Sequence, residues 1–272
     1  MKLAVNYSPE AAQLLADYQI EIDVYKCPDW PDLIATAQQQ RPSYVHFPML
    51  AGRDDIEKTG WDKIATLLDT TDTPYVNTHL APRASDFADM PLDTTDPIKA
   101  DILMAAMKRD IQPLTERFGS ERIIAENAMW DTGWEIPRPV LEPEIITQVV
   151  RDTGVGFLLD LAHARVTSLQ LGLDVRDYVA RLPLEHLREL HITGTRYEIE
   201  KQRWNDHFPM TEPDWALAEW AMEQIQAGRW PQPWVVSLEY GGIGPAFEWR
   251  SKSDVIAQDV PRLAALVQGV KV

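Results

Sequence analysis

The chain of 272 residues carries a net charge of −16, and 45% of its residues are hydrophobic. This length suits one large domain with a substantial core, and the negative charge disfavours nucleic acid and anionic membranes as partners. The single cysteine, Cys27, excludes a disulfide framework and a thiolate metal cage. With no secretion signal or membrane-spanning run in the sequence, we expect a cytoplasmic enzyme.

Strand-like and helix-like segments alternate along the whole chain. Short apolar runs predict eight strands, at residues 2–6, 20–25, 43–47, 75–79, 122–126, 156–160, 187–192 and 234–239. A helix is predicted after each strand, at 11–18, 29–40, 54–68, 96–118, 142–151, 175–182, 215–226 and 254–267. Long loops are expected at 80–95, 127–139 and 193–210, each after a strand.

This alternation predicts an α/β protein that forms a single (β/α)₈ TIM barrel over residues 1–272. Eight strand–helix units in about 250 residues are typical of that fold. The long connections follow strands and the short ones precede them, so the site is expected at the C-terminal ends of the strands. A doubly wound open sheet is the alternative, but no glycine-rich phosphate loop follows the first strand.

Potential metal ligands recur where the predicted strands end. Six consecutive strands end near a histidine or a carboxylate, and two more histidines follow in loops, which gives the set His46, His79, Glu126, Asp160, His163, His191, His207 and Glu239. Such nitrogen and oxygen donors without thiolates are typical of zinc, manganese or iron sites. Eight donors exceed the needs of one ion, so we expect two or three ions with bridging carboxylates. Without cations, the clustered carboxylates would oppose folding.

In this order the set resembles the multi-metal pattern of the endonuclease IV branch of the xylose-isomerase-like barrels. The subset Glu126, Asp160, His191 and Glu239 resembles the single-metal site of the ketose epimerase branch. A closer resemblance is to the multinuclear non-heme iron-dependent oxidative enzymes. Ordered stretches carry it, among them Val76-Asn-Thr-His79-Leu, Ile124-Ala-Glu126-Asn127, Thr153-Gly-Val-Gly-Phe-Leu-Leu-Asp160, Glu189-Leu-His191-Ile-Thr-Gly194 and Leu238-Glu239-Tyr240.

The resemblance implies two or three irons, of which a mixed-valent pair activates oxygen. It also implies oxidative remodelling of cysteine or other residues in small peptides, often with a separate peptide-recognition protein. The predicted metal ligands are then His46, His79, Glu126, Asp160, His163, His191, Asn205, His207 and Glu239, and the predicted catalytic residues are His79, Glu126 and Glu239. Asn205 stands where the superfamily commonly has an aspartate, which weakens the third metal position.

Other functions remain open at this point. A sugar isomerase or epimerase needs one divalent ion, with Glu126 and Glu239 as acid and base on either face of an enediol. A phosphodiesterase is disfavoured by the acidic charge, and a binding protein with a decayed metal site is suggested by Asn205 alone. We expect a peptide or small-molecule substrate and neither nucleic acid nor membrane as partner. Lys26, at the end of the second strand, is expected to make loop hydrogen bonds rather than contact substrate.

Overall fold

The computed structural model describes residues 1–244 and 247–269. The strands in these residues are β1 Lys2–Asn6, β2 Val24–Cys27, β3 Ser43–Val45, β4 Leu50–Ala51, β5 Val76–Leu80, β6 Ile123–Glu126, β7 Gly156–Asp160, β8 Leu187–Ile192, β9 Gly194–Glu198, β10 Arg203–Phe208 and β11 Val235–Leu238. The α-helices are α1 Pro9–Ala16, α2 Pro31–Ala37, α3 Trp61–Thr70, α4 Pro97–Phe118, α5 Pro143–Thr153, α6 Leu161–Leu171, α7 Val175–Ala180, α8 Glu212–Gln226 and α9 Ser253–Val267.

Each of the eight predicted strands overlaps an observed one, namely β1, β2, β3, β5, β6, β7, β8 and β11. The second strand begins at Val24 rather than at residue 20. The expected loop at 193–210 is wrong, because β9 and β10 form an antiparallel hairpin there. Helix α6 was not predicted and follows β7 without a gap.

Local sequence signals explain where many of the helices begin and end. Helices α1, α2, α4 and α5 each start on a proline, whose fixed φ suits the first helical position. Helices α5 and α6 end at Gly154 and Gly172, both of which have the left-handed backbone conformation that favours glycine. These signals are local, which is why most predicted helix ends lie within three residues of the observed ones. The start of α3 was wrong, because this helix begins at Trp61 rather than at residue 54.

The chain divides into two compact units. The first unit comprises Met1–His46, Leu67–Thr73 and the chain from Glu189 onward. Its strands form a parallel sheet in the order β3-β2-β1-β11-β8, in which Ala4 of β1 pairs with Val24 and with Ser237. A buried cluster of Ala4, Val24, Tyr44 and Val235 packs on this sheet.

The second unit comprises Phe47–Thr66 and Pro74–Arg188. Its strands form a parallel sheet in the order β7-β6-β5-β4, and the register places His79 of β5 beside Glu126 of β6. Helix α4 packs against α5 and against β4. Because these strands are parallel, their C-terminal ends share one edge of the sheet.

Parallel strands alternate with helices in both units, which confirms the α/β class. The closure of eight strands into one barrel stays a prediction, as does the single domain over residues 1–272, of which 245–246 and 270–272 lie outside the described residues. Over the described ranges, no helix combines the length and the apolar character needed to cross a membrane.

A buried carboxylate on α9 gives this fold a predicted pH dependence. Asp259 accepts a hydrogen bond from the backbone N–H of Met210 at 3.3 Å, and burial raises its pKa from 3.8 to about 6. Between pH 4 and pH 6 the folded state therefore keeps a proton on Asp259 that the unfolded state releases. The contribution of the protonated side chain to stability is complete below pH 4 and is lost as the pH rises through 6. Asn cannot ionise, so we expect the unfolding free energy of Asp259→Asn relative to wild type to rise by up to about 3 kcal/mol as the pH increases from 4 to 8.

Urea unfolding of both proteins at the two pH values measures this gain. Asp254→Asn is the matched control, because Asp254 lies exposed on the same helix. An equal pH dependence for wild type and Asp259→Asn would contradict the prediction.

Candidate metal centre

Four predicted ligands lie together in the second unit. His79 ends β5, Glu126 ends β6, and Asp160 and His163 stand at the junction of β7 and α6. Nε2 of His79 is 3.1 Å from Oε2 of Glu126, and Nδ1 of His163 is 3.5 Å from Oε1 of the same carboxylate. Nε2 of His163 is 3.8 Å from Oδ2 of Asp160. We call these four residues the second-unit cluster.

The junction of β7 and α6 explains why Asp160 and His163 meet. Asp160 is the N-cap of α6, and its Oδ1 accepts a hydrogen bond from the backbone N–H of His163 at 2.7 Å. Aspartate is favoured at this position because it satisfies an otherwise unpaired amide of the first turn. The cap leaves Oδ2 of Asp160 facing the imidazole of His163.

The donor set of the second-unit cluster fits a metal ion. One ligand atom each from Glu126, Asp160 and His163 lie within 4.8 Å of one another. Ligand atoms bound at about 2.0–2.2 Å to a common ion lie roughly 3–3.5 Å apart, and Nε2 of His79 and Oε2 of Glu126 are separated by 3.1 Å. Glu126 is 1% exposed and Asp160 0%, and two carboxylates are buried at lower cost when a cation balances them.

Backbone carbonyls orient the two imidazoles of this cluster. Nδ1 of His79 is 3.3 Å from the carbonyl oxygen of Met49, and Nδ1 of His163 is 2.8 Å from that of Asn127. A carbonyl only accepts, so Nδ1 carries the proton in each contact and Nε2 presents its lone pair. Metal-binding histidines commonly have this arrangement, which fixes the tautomer and the ring angle.

Asn127 forms hydrogen bonds with two members of the second-unit cluster, Asp160 and His163. Its side-chain Nδ2 donates to the carbonyl of Asp160 at 3.0 Å, and its Oδ1 accepts from the backbone N–H of Asp160 at 2.9 Å. Its own carbonyl accepts from His163. Asn77 makes the same paired contact with the backbone of Phe47, so the two amides form a matched pair.

We expect Asn127→Ala to weaken metal binding about 10- to 100-fold, because Asp160 and His163 lose the group that positions them. The unfolding free energy should also fall by about 1–3 kcal/mol, the cost of leaving buried hydrogen-bonding groups unsatisfied. Equilibrium dialysis against Mn²⁺ and urea unfolding give the two quantities. Asn77→Ala is the control, with a similar loss of stability and a smaller loss of affinity; equal losses of affinity would contradict the prediction.

His191 is the centre of a second group of residues, in the first unit. Its Nε2 donates to Oε1 of Glu189 at 2.8 Å, and Tyr44 donates its hydroxyl to the same oxygen at 2.8 Å. Nδ1 of His191 then carries the lone pair, 3.3 Å from Oε1 of Glu239. Glu189 was not predicted as a site residue. Its position two residues before His191 in the same strand could have indicated it, because alternate residues of a strand share one face.

The side chain of Lys26 lies within this group. Its Nζ is 3.4 Å from Nδ1 of His191 and forms an ion pair with Glu239. Lys26 is only 4% exposed, so the expected loop hydrogen bonds are replaced by contacts with two predicted ligands. We call Lys26, Glu189, His191 and Glu239 the first-unit cluster.

Two further predicted ligands of the first unit, His46 and His207, border this cluster, whereas a third, Asn205, contacts β9 instead. The ring of His46 lies 5.2 Å from that of His191. Nδ1 of His207 donates to the carbonyl of Glu239 at 2.9 Å, and its φ of 59° coincides with a register shift in β10 that is typical of a β-bulge. The side-chain amide of Asn205 contacts Glu198 on β9 at 3.4 Å, whereas Asp206 lies 3.4 Å from Nε2 of His207.

Comparison with known proteins identifies the family. The family model described as RiPP precursor modification enzyme MbnB/TglH/ChrH matches residues 32–235, which is most of the chain. The chain belongs to the MbnB/TglH/ChrH family. This result confirms the predicted resemblance, and the matched segment contains the whole second-unit cluster. Lys26 and Glu239 lie outside it.

Curated relatives of this MbnB/TglH/ChrH family member include UPF0276 proteins. One from Bordetella pertussis is 40% identical over 53 residues, or 20% of this chain and 18% of that protein, so the alignment spans less than a fifth of the relative. One from Rhizorhabdus wittichii is 22% identical over 251 residues, or 89% of this chain and 78% of that protein.

Solved structures similar to this MbnB/TglH/ChrH family member show the fold. The crystal structure of D-psicose 3-epimerase in the presence of D-fructose has a TM-score of 0.61, 12% identity and 99% of each chain covered. The 3-keto-D-glucoside 4-epimerase from E. coli has a TM-score of 0.53, 15% identity, and coverage of 94% of this chain and 98% of that one. These neighbours have the xylose-isomerase-like fold of the TIM-barrel type, as the sequence resemblance implied.

Proposed function

We propose that this chain is a metal-dependent oxidative enzyme that uses dioxygen to modify a residue of a small peptide. The observation that carries the proposal is the family match, since a RiPP precursor is a ribosomally made peptide that is modified after synthesis. The donor set of the second-unit cluster supports it, because mixed imidazole and carboxylate donors suit redox-active iron. The proposal includes a separate protein that recognises the peptide. A small molecule is the alternative substrate for the same oxidative chemistry.

Within this proposal, Glu126, Asp160 and His163 hold the first ion. Iron bound there supplies the electron transfer with dioxygen that no side chain of the cluster provides. Both carboxylates are buried, which excludes bulk water from their oxygens. The side chain of His79 is 22% exposed, the largest value in the cluster, so His79 is the residue of the cluster that is most accessible to substrate. His79 either binds the ion or accepts a proton at Nε2.

The remaining predicted ligands belong to the first unit: His46, His191, Asn205, His207 and Glu239. Their donors bring the proposed total to two or three ions, with iron as the first choice and zinc or manganese as alternatives. Asn205 offers an uncharged oxygen where a carboxylate binds a cation more strongly. The proposed third position is therefore the weakest.

Metal analysis of protein purified with and without air tests the proposal. We expect iron in the anaerobic preparation, and oxygen uptake when that protein meets air. The same preparation of Glu126→Gln should contain at least one equivalent less iron and take up no oxygen, because this carboxylate contacts both His79 and His163. Stoichiometric zinc without iron, together with no oxygen uptake, would overturn the proposal.

A sugar epimerase is the alternative, with Glu126 and Glu239 as acid and base around one divalent ion. The fold likeness to D-psicose 3-epimerase makes D-fructose the natural probe. Deuterium uptake at carbon 3 of D-fructose in heavy water, with Mn²⁺ and without oxygen, would favour this function. Absence of exchange beside iron-dependent oxygen uptake would favour the oxidative one.

A further inference from the structure

Lys26 sits where a metal ion would meet the first-unit cluster. The residue lies in β2, and its ammonium contacts both Glu239 and Nδ1 of His191, the latter at 3.4 Å. Its 4% exposure is unusual, because lysine is almost never fully buried unless it is paired. The partners of this buried cation are two residues that the sequence predicts as metal ligands.

The tautomer of His191 makes this contact specific. Its Nε2–H is donated to Glu189, which Tyr44 holds in place through a second hydrogen bond. Nδ1 is then an acceptor, and an ammonium has donors only, so Lys26 donates to Nδ1 and to the carboxylate of Glu239. These are the electron pairs through which the two side chains would bind a metal ion.

An ammonium and a divalent ion compete for this position. Both are cations, and in a site shielded from water their repulsion at a few ångströms is much stronger than in bulk solvent. Lys26 is attached to β2, so its ammonium is present at a fixed, high local concentration, whereas an ion must be drawn from solution. Its four-carbon stem is packed in the first unit, which limits alternative positions for the charge.

We propose that Lys26 is a resident cation that takes the place of one metal ion between Glu239 and His191. This inference rests on the proposed metal-binding function of the strand-end residues, and it revises that proposal for two of them. Glu239 and Nδ1 of His191 hold the ammonium instead of an ion. The chain therefore binds one ion fewer than its histidines and carboxylates predict.

Removing the ammonium should create a metal position. We expect Lys26→Met, which keeps the length of the side chain and loses its charge, to bind one more equivalent of Mn²⁺ than wild type. The double variant Lys26→Met/Glu239→Gln should lose that extra equivalent, because the released carboxylate is gone. Lys2→Met is the matched control, since Lys2 is a lysine of the same unit whose side chain is 38% exposed and pairs with Asp72, and it should bind as wild type does.

A second variant tests the inference without removing the lysine. If Glu239 holds Lys26, then Glu239→Gln retains the same number of Mn²⁺ equivalents as wild type. Loss of one equivalent from Glu239→Gln would overturn the inference, as would an unchanged number in folded Lys26→Met. Should Lys26→Met fail to fold by circular dichroism, Glu239→Gln alone decides.

The outcomes separate this inference from the proposed function. A wild-type protein that binds no metal and takes up no oxygen contradicts the proposed function. An extra equivalent in Lys26→Met would support the resident cation even in that case. Conversely, iron-dependent oxygen uptake together with the loss of an equivalent in Glu239→Gln would keep the function and remove the inference.

Discussion

Replacing Glu126 with glutamine is expected to abolish metal binding by the second-unit cluster and, with it, activity. One oxygen of this carboxylate is 3.1 Å from Nε2 of His79. A ligand atom of Glu126 also lies within 4.8 Å of ligand atoms of Asp160 and His163, so the carboxylate is placed to share a bound ion with these side chains. Glutamine keeps the shape but replaces one acceptor oxygen by a donor and removes the charge. Loss of supporting groups alone costs about 10–100-fold in affinity, so loss of this ligand should exceed about 100-fold.

Equilibrium dialysis against Mn²⁺ measures the affinity, and oxygen uptake by the iron-loaded protein measures the activity. Glu121→Gln makes the same chemical change at an exposed position just before β6, and it should leave both quantities unchanged. Wild-type affinity in folded Glu126→Gln would show that this carboxylate is no ligand.

Removal of bound metal is expected to lower the thermal midpoint of unfolding by about 5 °C or more. An ion present at about 100 times its dissociation constant stabilises the folded state by about 2.7 kcal/mol, and each kcal/mol moves the midpoint by about 2–4 °C in a chain of this size class. Without the ion, the buried carboxylates of Glu126 and Asp160 remain close together, which adds repulsion to the lost binding energy.

Calorimetry before and after dialysis against a chelator gives the shift, and readdition of Mn²⁺ should restore the midpoint. Asp160→Asn should show a smaller shift than wild type, because one of the two charges is absent. A midpoint that does not change although the metal is gone would mean that the ion contributes nothing to the stability of the fold.

The strand ends were predictable because the required information is local. A buried strand shows itself as a short apolar run, and the next residues must lie at the sheet edge. His79, Glu126 and Asp160 were therefore placed correctly relative to one another in the second unit. The same reasoning placed His191 and Glu239 at the ends of neighbouring strands of the first unit.

The contacts beyond the strand ends depend on distant parts of the chain. Lys26 and Glu239 are more than two hundred residues apart in sequence, and no local pattern links them. The tautomer of His191 follows from its hydrogen bond to Glu189, which only the folded side-chain positions show. The β9–β10 hairpin was missed because its alternation is interrupted at His207, where the strand has a register shift and a positive φ.

The carbonyl groups that orient the histidines have a consequence for redesign of the enzyme. His79, His163 and His207 each donate Nδ1–H to a main-chain oxygen rather than to a side chain. Every amino acid carries such an oxygen, so the side chain at Met49 can be exchanged, provided that the backbone path is kept, without turning the His79 ring. The oxygens for His163 and His207 come from Asn127 and Glu239, whose side chains the clusters use. Position 49 is therefore the one of the three that a directed library can vary, while the orientation of Nε2 of His79 is set by the main chain.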